Sequence, residues 1–268
     1  MAFLYMPIAV LIVFSFNQSK SRAYWTGFTL NWYKELFSNE LIISSLWNTL
    51  IIAFLSSLIA TVIGTAAAIG LSRMNKWVRG IVLNITYMPM INPDIITGVS
   101  MMLLFGLFQA LVAWMGGLFG TSWSFESGFW TLLLAHITFN IPYVILNVRP
   151  KLRQMDPSIY EAARDLGCNE WQAIRKVVLP DIMPGIVAGF LTSITMSLDD
   201  FVISYFVTGA SFQTLPITIF SMTRRKVSPE INALSTIIFV VVLVVLVLVN
   251  ISDSRKEKRQ LAGRRVRV

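Results

Sequence analysis

Three stretches of this 268-residue chain, residues 46–72, 95–125 and 129–148, contain no Lys, Arg, Asp or Glu at all. A helix needs roughly 20 apolar residues to cross a bilayer, and in lipid the backbone groups must be satisfied within the segment, which selects helices. With 55% hydrophobic and 13% charged residues, the chain reads as an all-α integral membrane protein. Six spans are predicted, near residues 1–16, 46–71, 81–114, 129–148, 184–206 and 233–251. The third is overlong and carries Pro89 and Pro93, so a kink or an interfacial first part is expected. The first is short and begins directly at Met1, with neither a basic n-region nor a small-residue cleavage site, so a missing amino-terminal stub is expected rather than a secretion signal.

The net charge of +8 does not indicate nucleic-acid binding, because the basic residues cluster at the ends of the apolar runs, where lipid headgroups and topology account for them. Sixteen of the 22 Lys and Arg lie on alternate loops: Arg73 to Arg79, Arg149 to Lys176, and the tail from Arg255. The positive-inside rule places those loops, and both termini, in the cytoplasm. The chain is read as one transmembrane domain, residues 1–268, with a core of about 46–251, a cytoplasmic loop of about 156–180 and a solvated basic tail, 252–268. Cys168, the single cysteine, cannot form an internal disulfide. Trp114, Trp123 and Trp130 flank outer span ends and Trp77 an inner one, and residues 24–33 suit the outer interface. Small residues four apart, Ser56, Ala60, Gly64 and Ala68 in span two and Gly185, Gly189 and Ser193 in span five, allow close helix contact.

Inside the membrane the ionisable residues are Asp94, His136, Asp199 and Asp200, and the same spans hold no Lys or Arg. Each carboxylate at depth costs roughly 2.5 to 3.5 kcal/mol on insertion scales, so these acids must face water, pair with something, or take a proton. Helix rise places all four at a similar outer-half level, where they could form one ring. On a continuous helix Asp199 and Asp200 project about 100° apart. Ser193, Ser197, Asp200 and Ser204 then make one polar stripe, which favours Asp200 over Asp199 for the pathway without deciding between them. His136 could instead bond a neighbouring helix, and Asp94 could cap backbone freed by the kink.

The cytoplasmic loop reads as two short helices. Asp156 is a good N-cap, Pro157 suits the first helical position, Ile159, Ala163 and Leu166 share a stripe, and Gly167 supplies the stop. Asn169 with Gln172 then opens a second helix as a capping box, with Trp171, Ile174 and Val178 on one face, and Pro180 and Pro184 are expected to close it.

Glu161-Ala162-Ala163, three residues, Gly167, nine residues, Val177, one residue, Leu179-Pro180 resembles the signature of binding-protein-dependent ABC transporter permeases, departing only at Val177, where isoleucine is usual. The runs from Ser197 to Gly209, Ala135 to Phe139, Pro93 to Ile95 and Ser228 to Leu234 are similar to the spermidine/putrescine branch, over nearly the whole chain. This resemblance implies a type I importer permease fold with cytoplasmic coupling helices in the bacterial cytoplasmic membrane. It also implies a second homologous permease subunit, two cytoplasmic ATPase subunits and an extracytoplasmic polyamine-binding protein. Glu161, Ala162, Ala163, Gly167, Leu179 and Pro180 would couple to the ATPase, with Glu161 as its polar contact. Asp94, His136, Ser197, Asp199, Asp200 and Tyr205 would line the substrate pathway, where acids compensate a polycation and Phe201 or Tyr205 supplies cation-π contact. The outer loop of residues 208–232, with Arg224, Arg225 and Lys226, would receive the binding protein.

No Gly-x4-Gly-Lys-Ser/Thr phosphate cradle occurs, so this chain is expected to bind no cofactor, with ATP and magnesium held by the partner ATPase. Nor does a nucleophile-base constellation appear, and transport rather than catalysis is expected. Two rivals stay open: a permease of the same class for ferric iron, thiamine or another small solute, and a stand-alone ion-coupled carrier. One histidine without convergent spacing makes a poor metal site, and no metal is assigned.

Overall fold

A computed structural model describes residues 2–19, 24–120, 125–209, 212–225, 229–240 and 243. The chain resolves into helices α1 (Ala2–Ser15), α2 (Asn31–Ser38), α3 (Glu40–Arg73), α4 (Lys76–Ile91), α5 (Asp94–Leu118) and α6 (Phe129–Gln154). After these come α7 (Pro157–Asp165), α8 (Glu170–Ala173), a π turn (Ile174–Val178), α9 (Leu179–Asp199), α10 (Val202–Val207), α11 (Leu215–Arg225) and α12 (Pro229–Val240). Its contacts divide it into two units, Ser44–Thr218 and Met1–Ile43 with Ile219–Val268.

Among the described residues four helices are long and apolar enough to cross a membrane: Glu40–Arg73, Asp94–Leu118, Phe129–Gln154 and the continuous stretch Glu170–Asp199. Shorter apolar helices begin the first and sixth expected spans; most of 241–251, the tail from 252, and Trp123 and Lys226 lie outside the described residues. At about 1.5 Å per residue the 34 residues of α3 extend roughly 51 Å, well beyond a hydrocarbon core of about 30 Å.

The overlong third span is two helices. Asn92 (ψ 144°) and Pro93 (ψ 136°) are both extended, because the proline ring expels its predecessor from helical geometry. Pro89 stays inside α4, so only one of the two prolines breaks the chain.

Pro180 and Pro184, expected to close the second loop helix, do not. α8 passes through the π turn into α9, giving one helical run from Glu170 to Asp199, 30 residues long. Pro180 removes a donor and crowds the carbonyl four residues back. The π turn immediately before it, where Leu179 N–H reaches the Ile174 carbonyl, widens the ladder where the ring needs room. Span five thus starts at residue 170 rather than 184. It also ends early: α9 stops at Asp199, Asp200 is extended (φ −64°, ψ 119°), and α10 starts afresh at Val202.

The core of the Ser44–Thr218 unit is the packing of α3, α6 and α9. Val144 of α6 is fully buried. A Cβ on Gly64 of α3 would lie 2.7 Å from the Val144 Cβ, and one on Gly189 of α9 would fall 3.2 Å from the Val144 Cα. The small-residue rows read from the sequence are therefore the surfaces that let three backbones close on one valine. Gly64→Ala is expected to lower stability by about 1–3 kcal/mol through overpacking. Thermal unfolding of the detergent-solubilised chain checks this, and Val144→Ala in the same chain should recover most of the loss.

In the other unit Asn17 organises the turn after α1. Its Nδ2 donates to the Tyr24 carbonyl (2.9 Å), its Oδ1 accepts from Thr26 N–H (3.0 Å), and its own carbonyl accepts from the Trp32 indole (2.7 Å). Phe16 stacks on Phe28 at 5.3 Å, so residues 24–33 form a folded connection into α2. In the same unit Arg224 lies 5.2 Å over the Phe220 ring.

Candidate functional site

Two helix breaks meet at one cleft of about 260 Å³ in the Ser44–Thr218 unit. Asp94 comes from the α4/α5 break, Asp199, Asp200 and Phe201 from the α9/α10 break, and Phe139 and Tyr143 from α6. Among the described residues no Lys or Arg lines it. Asp94 and Asp199 are exposed there. Asp94 opens α5, where the helix dipole favours an anion, while Asp199 ends α9, where unpaired carbonyls add partial negative charge to its own. The α9 end is therefore a place for a cation.

Asp200, favoured from the sequence as the pathway acid, is turned largely away. Its Oδ2 accepts from Ser204 N–H (2.8 Å) and the Ser204 hydroxyl (2.7 Å), and its Oδ1 from Ile203 N–H (3.3 Å). The carboxylate starts α10 as a cap does. The expected 100° divergence from one helix is corrected: the backbone breaks between the two acids, and a break can send neighbours opposite ways. The stripe of Ser193, Ser197, Asp200 and Ser204 is real but faces the protein interior, all three serines being buried.

His136 is 1% exposed and does not line the cleft. Its Nδ1 lies 2.5 Å from Ser197 Oγ, its Nε2 3.0 Å from Ser204 Oγ and 3.6 Å from Asp200 Oδ2. Ser197 Oγ is in turn 3.3 Å from Ser56 Oγ, which accepts from Asn140 Nδ2 at 3.4 Å. The acids are thus not one uncompensated patch: Asp200 has internal donors. Tyr205, expected in the pathway, is half exposed beside Phe201, with ring centroids 5.5 Å apart, and is not part of the cleft lining.

In the loop of residues 156–180 the helix caps form as the sequence suggests. Asp156 Oδ1 accepts from Ser158 N–H at 3.0 Å, and that bond holds its carboxyl below the usual carboxylate range. Gly167 takes φ +86°, Cys168 N–H reaches the Ala163 carbonyl and Gly167 N–H the Arg164 carbonyl, the paired closure that needs a left-handed residue. Asn169 and Gln172 exchange both bonds of the capping box. Ala163 is buried, Glu161 and Ala162 are exposed, and of the expected stripe Leu166 is 87% exposed, with Trp171 nearby at 67%. Leu179 is half-buried and Pro180 exposed, both beyond the π turn. Tyr160 packs inward instead.

Arg73, counted in the sequence only as a topological charge, ends α3 by donating to Tyr160 Oη (2.7 Å) and pairing with Glu170 (3.5 Å). An exposed pair of this kind contributes little stability, but it ties α3 to both loop helices. Tyr143 and Asn140 also escaped sequence reading, while Ser56 was read only as a packing residue and Phe139 only as the end of a similar run; the local hint was polar Asn140 within an apolar helix.

A family model described as binding-protein-dependent transport system inner membrane component matches residues 60–260. The chain belongs to this family. It is therefore a membrane transport subunit of a system with several components. It is 39% identical over 246 residues to the spermidine/putrescine transport system permease protein PotC of Escherichia coli (strain K12), covering 92% of this chain and 88% of that protein. To the putrescine transport system permease protein PotI of the same strain it is 39% identical over 261 residues, covering 97% and 89%. In fold the permease is similar to a chain of a bacterial ABC transporter involved in import of the acidic polysaccharide alginate, with a TM-score of 0.73 at 20% identity over 95% of this chain and 90% of that one. A chain of the MetNI methionine ABC transporter gives 0.59 at 19% identity, over 78% and 92%. The permease is all-α with the architecture of ABC importer membrane subunits.

Proposed function

We propose that this permease carries polyamines inward as one of two homologous membrane subunits, powered by two cytoplasmic ATPase subunits and supplied by an extracytoplasmic binding protein. The observation that carries the reading is a cleft with two exposed carboxylates, Asp94 and Asp199, and no basic residue among the described residues of its lining, in a chain 39% identical to polyamine permeases. A flexible polycation supplies the missing positive charge, and Phe139, Tyr143 and Phe201 offer ring faces to its ammonium groups. Both termini are cytoplasmic in this reading, ATP and magnesium reside on the ATPase, and this chain holds neither.

Force would enter at Glu161, Leu166 and Trp171. Because α8 continues through the π turn into α9, displacement of the coupling element travels along a rod of about 45 Å, taking 1.5 Å per residue, that ends at Asp199. Arg73 passes the same displacement to α3. Closure of the ATPase pair thereby changes which side reaches the cleft.

Vesicles reconstituted with all four kinds of subunit test this. ATP-dependent spermidine uptake is expected, competed by putrescine and unaffected by ferric iron or thiamine. Uptake of those solutes in place of polyamines would reassign the cargo. Transport by this chain alone, without ATPase, would make it a carrier.

A further inference from the structure

The proton order around His136 follows from its ends. As a carboxylate, Asp200 only accepts, and at 2.7 Å it takes the single hydroxyl proton of Ser204. Ser204 Oγ therefore has nothing left to donate to His136 Nε2, 3.0 Å away, so that contact requires Nε2–H to be the donor. The other ring nitrogen meets Ser197 Oγ at 2.5 Å. Ser197 lies in the last turn of α9 and Ser204 in α10, on opposite sides of the break at Asp200 and Phe201. One side chain from α6 thus grips both halves of a helix whose backbone is interrupted between them.

We propose that His136 is a positioning residue: with its proton on Nε2 it staples α9 to α10, commits Asp200 to that staple, and so leaves Asp199 as the acid presented to the cleft. Tetrahedral serine hydroxyls joined through a planar ring fix the rotation of the short α10 relative to α9 better than packing alone would, since each bond is directional. All polar members but Asp200 are essentially fully buried, where a broken link leaves an unsatisfied group. His136 thereby acts on transport without touching cargo. The staple itself stands on geometry; only its link to uptake rests on the proposed function.

The chain has a single histidine, so a full-length chain labelled with ¹⁵N-histidine, carrying a histidine-free tag in lipid nanodiscs, gives one imidazole to read by NMR. A protonated Nε2 coupled to a hydroxyl is expected. A neutral ring protonated only at Nδ1 would overturn the staple, whatever the cargo is. In the reconstituted importer, His136→Leu removes both hydrogen bonds while filling similar space, and uptake should fall about tenfold, the weight of one hydrogen bond near a charged group. His136→Gln, whose amide can donate to Ser204, should recover most of it. If the leucine variant inserts, unfolds at the wild-type temperature and transports normally, His136 is core packing and the proposal fails. If spermidine is not a substrate at all, the NMR result still decides the staple.

Discussion

Gly167→Pro is expected to stop uptake while leaving substrate capture by the external binding protein intact. Gly167 sits at φ +86°, whereas a proline ring holds φ near −65° and removes the N–H that closes onto the Arg164 carbonyl. The conflict costs about 3 kcal/mol or more, which lowers the population of correctly formed coupling hairpin about 100-fold. Since the chain inserts through its apolar helices, its abundance in the membrane should be unchanged, and the ATPase should hydrolyse ATP without responding to the loaded binding protein. Glu161→Ala, which removes an exposed carboxylate without disturbing the fold, should reduce uptake in the same sense. Transport assays alongside membrane quantification check both, and normal uptake by the proline variant would remove the loop from the coupling path.

Removing the two adjacent acids separately should lower uptake by different routes. Asp199→Asn leaves the fold untouched, because the side chain is exposed to the cleft, and uptake of spermidine should drop roughly tenfold or more through loss of one charged contact. Asp200→Ala removes the acceptor of Ser204 N–H, Ser204 hydroxyl and Ile203 N–H, leaving those donors unmet at a cost of about 1–3 kcal/mol. Its thermal unfolding in detergent should shift down, and its transport defect should follow that shift. Asp199→Glu, keeping the charge, should restore part of the uptake. Unfolding temperatures and initial uptake rates for the three variants separate a cargo-facing acid from a structural one; equal effects on both readouts would show that the pair acts as a unit.

What could be read from the sequence was what local rules determine. Apolar runs gave the helices, and Asp156, Gly167 and Asn169 with Gln172 gave the coupling element, because caps and left-handed closures depend on residues within one turn of each other. Pro93 announced its break through a steric effect on its own neighbour. Pro180 misled, since whether a proline ends a helix or is absorbed by a π turn depends on what packs beyond it. The break at Asp200 carries no Pro or Gly. There the Asp200 carboxylate caps α10, and His136, 64 positions earlier in the chain, meets Ser197 and Ser204 across the break, a contact with span four that no periodicity in span five encodes. The separate fates of Asp199 and Asp200 follow from that contact, which is why a dipeptide that looks like one feature is two.

The π turn at Ile174–Val178 sets a phase as well as a path. One residue of insertion or deletion there would turn everything downstream by about 100°, swinging Asp199 to another azimuth while the face offered to the ATPase stayed put. Gearing between motor and cargo site in this permease therefore resides in the count of residues across five positions.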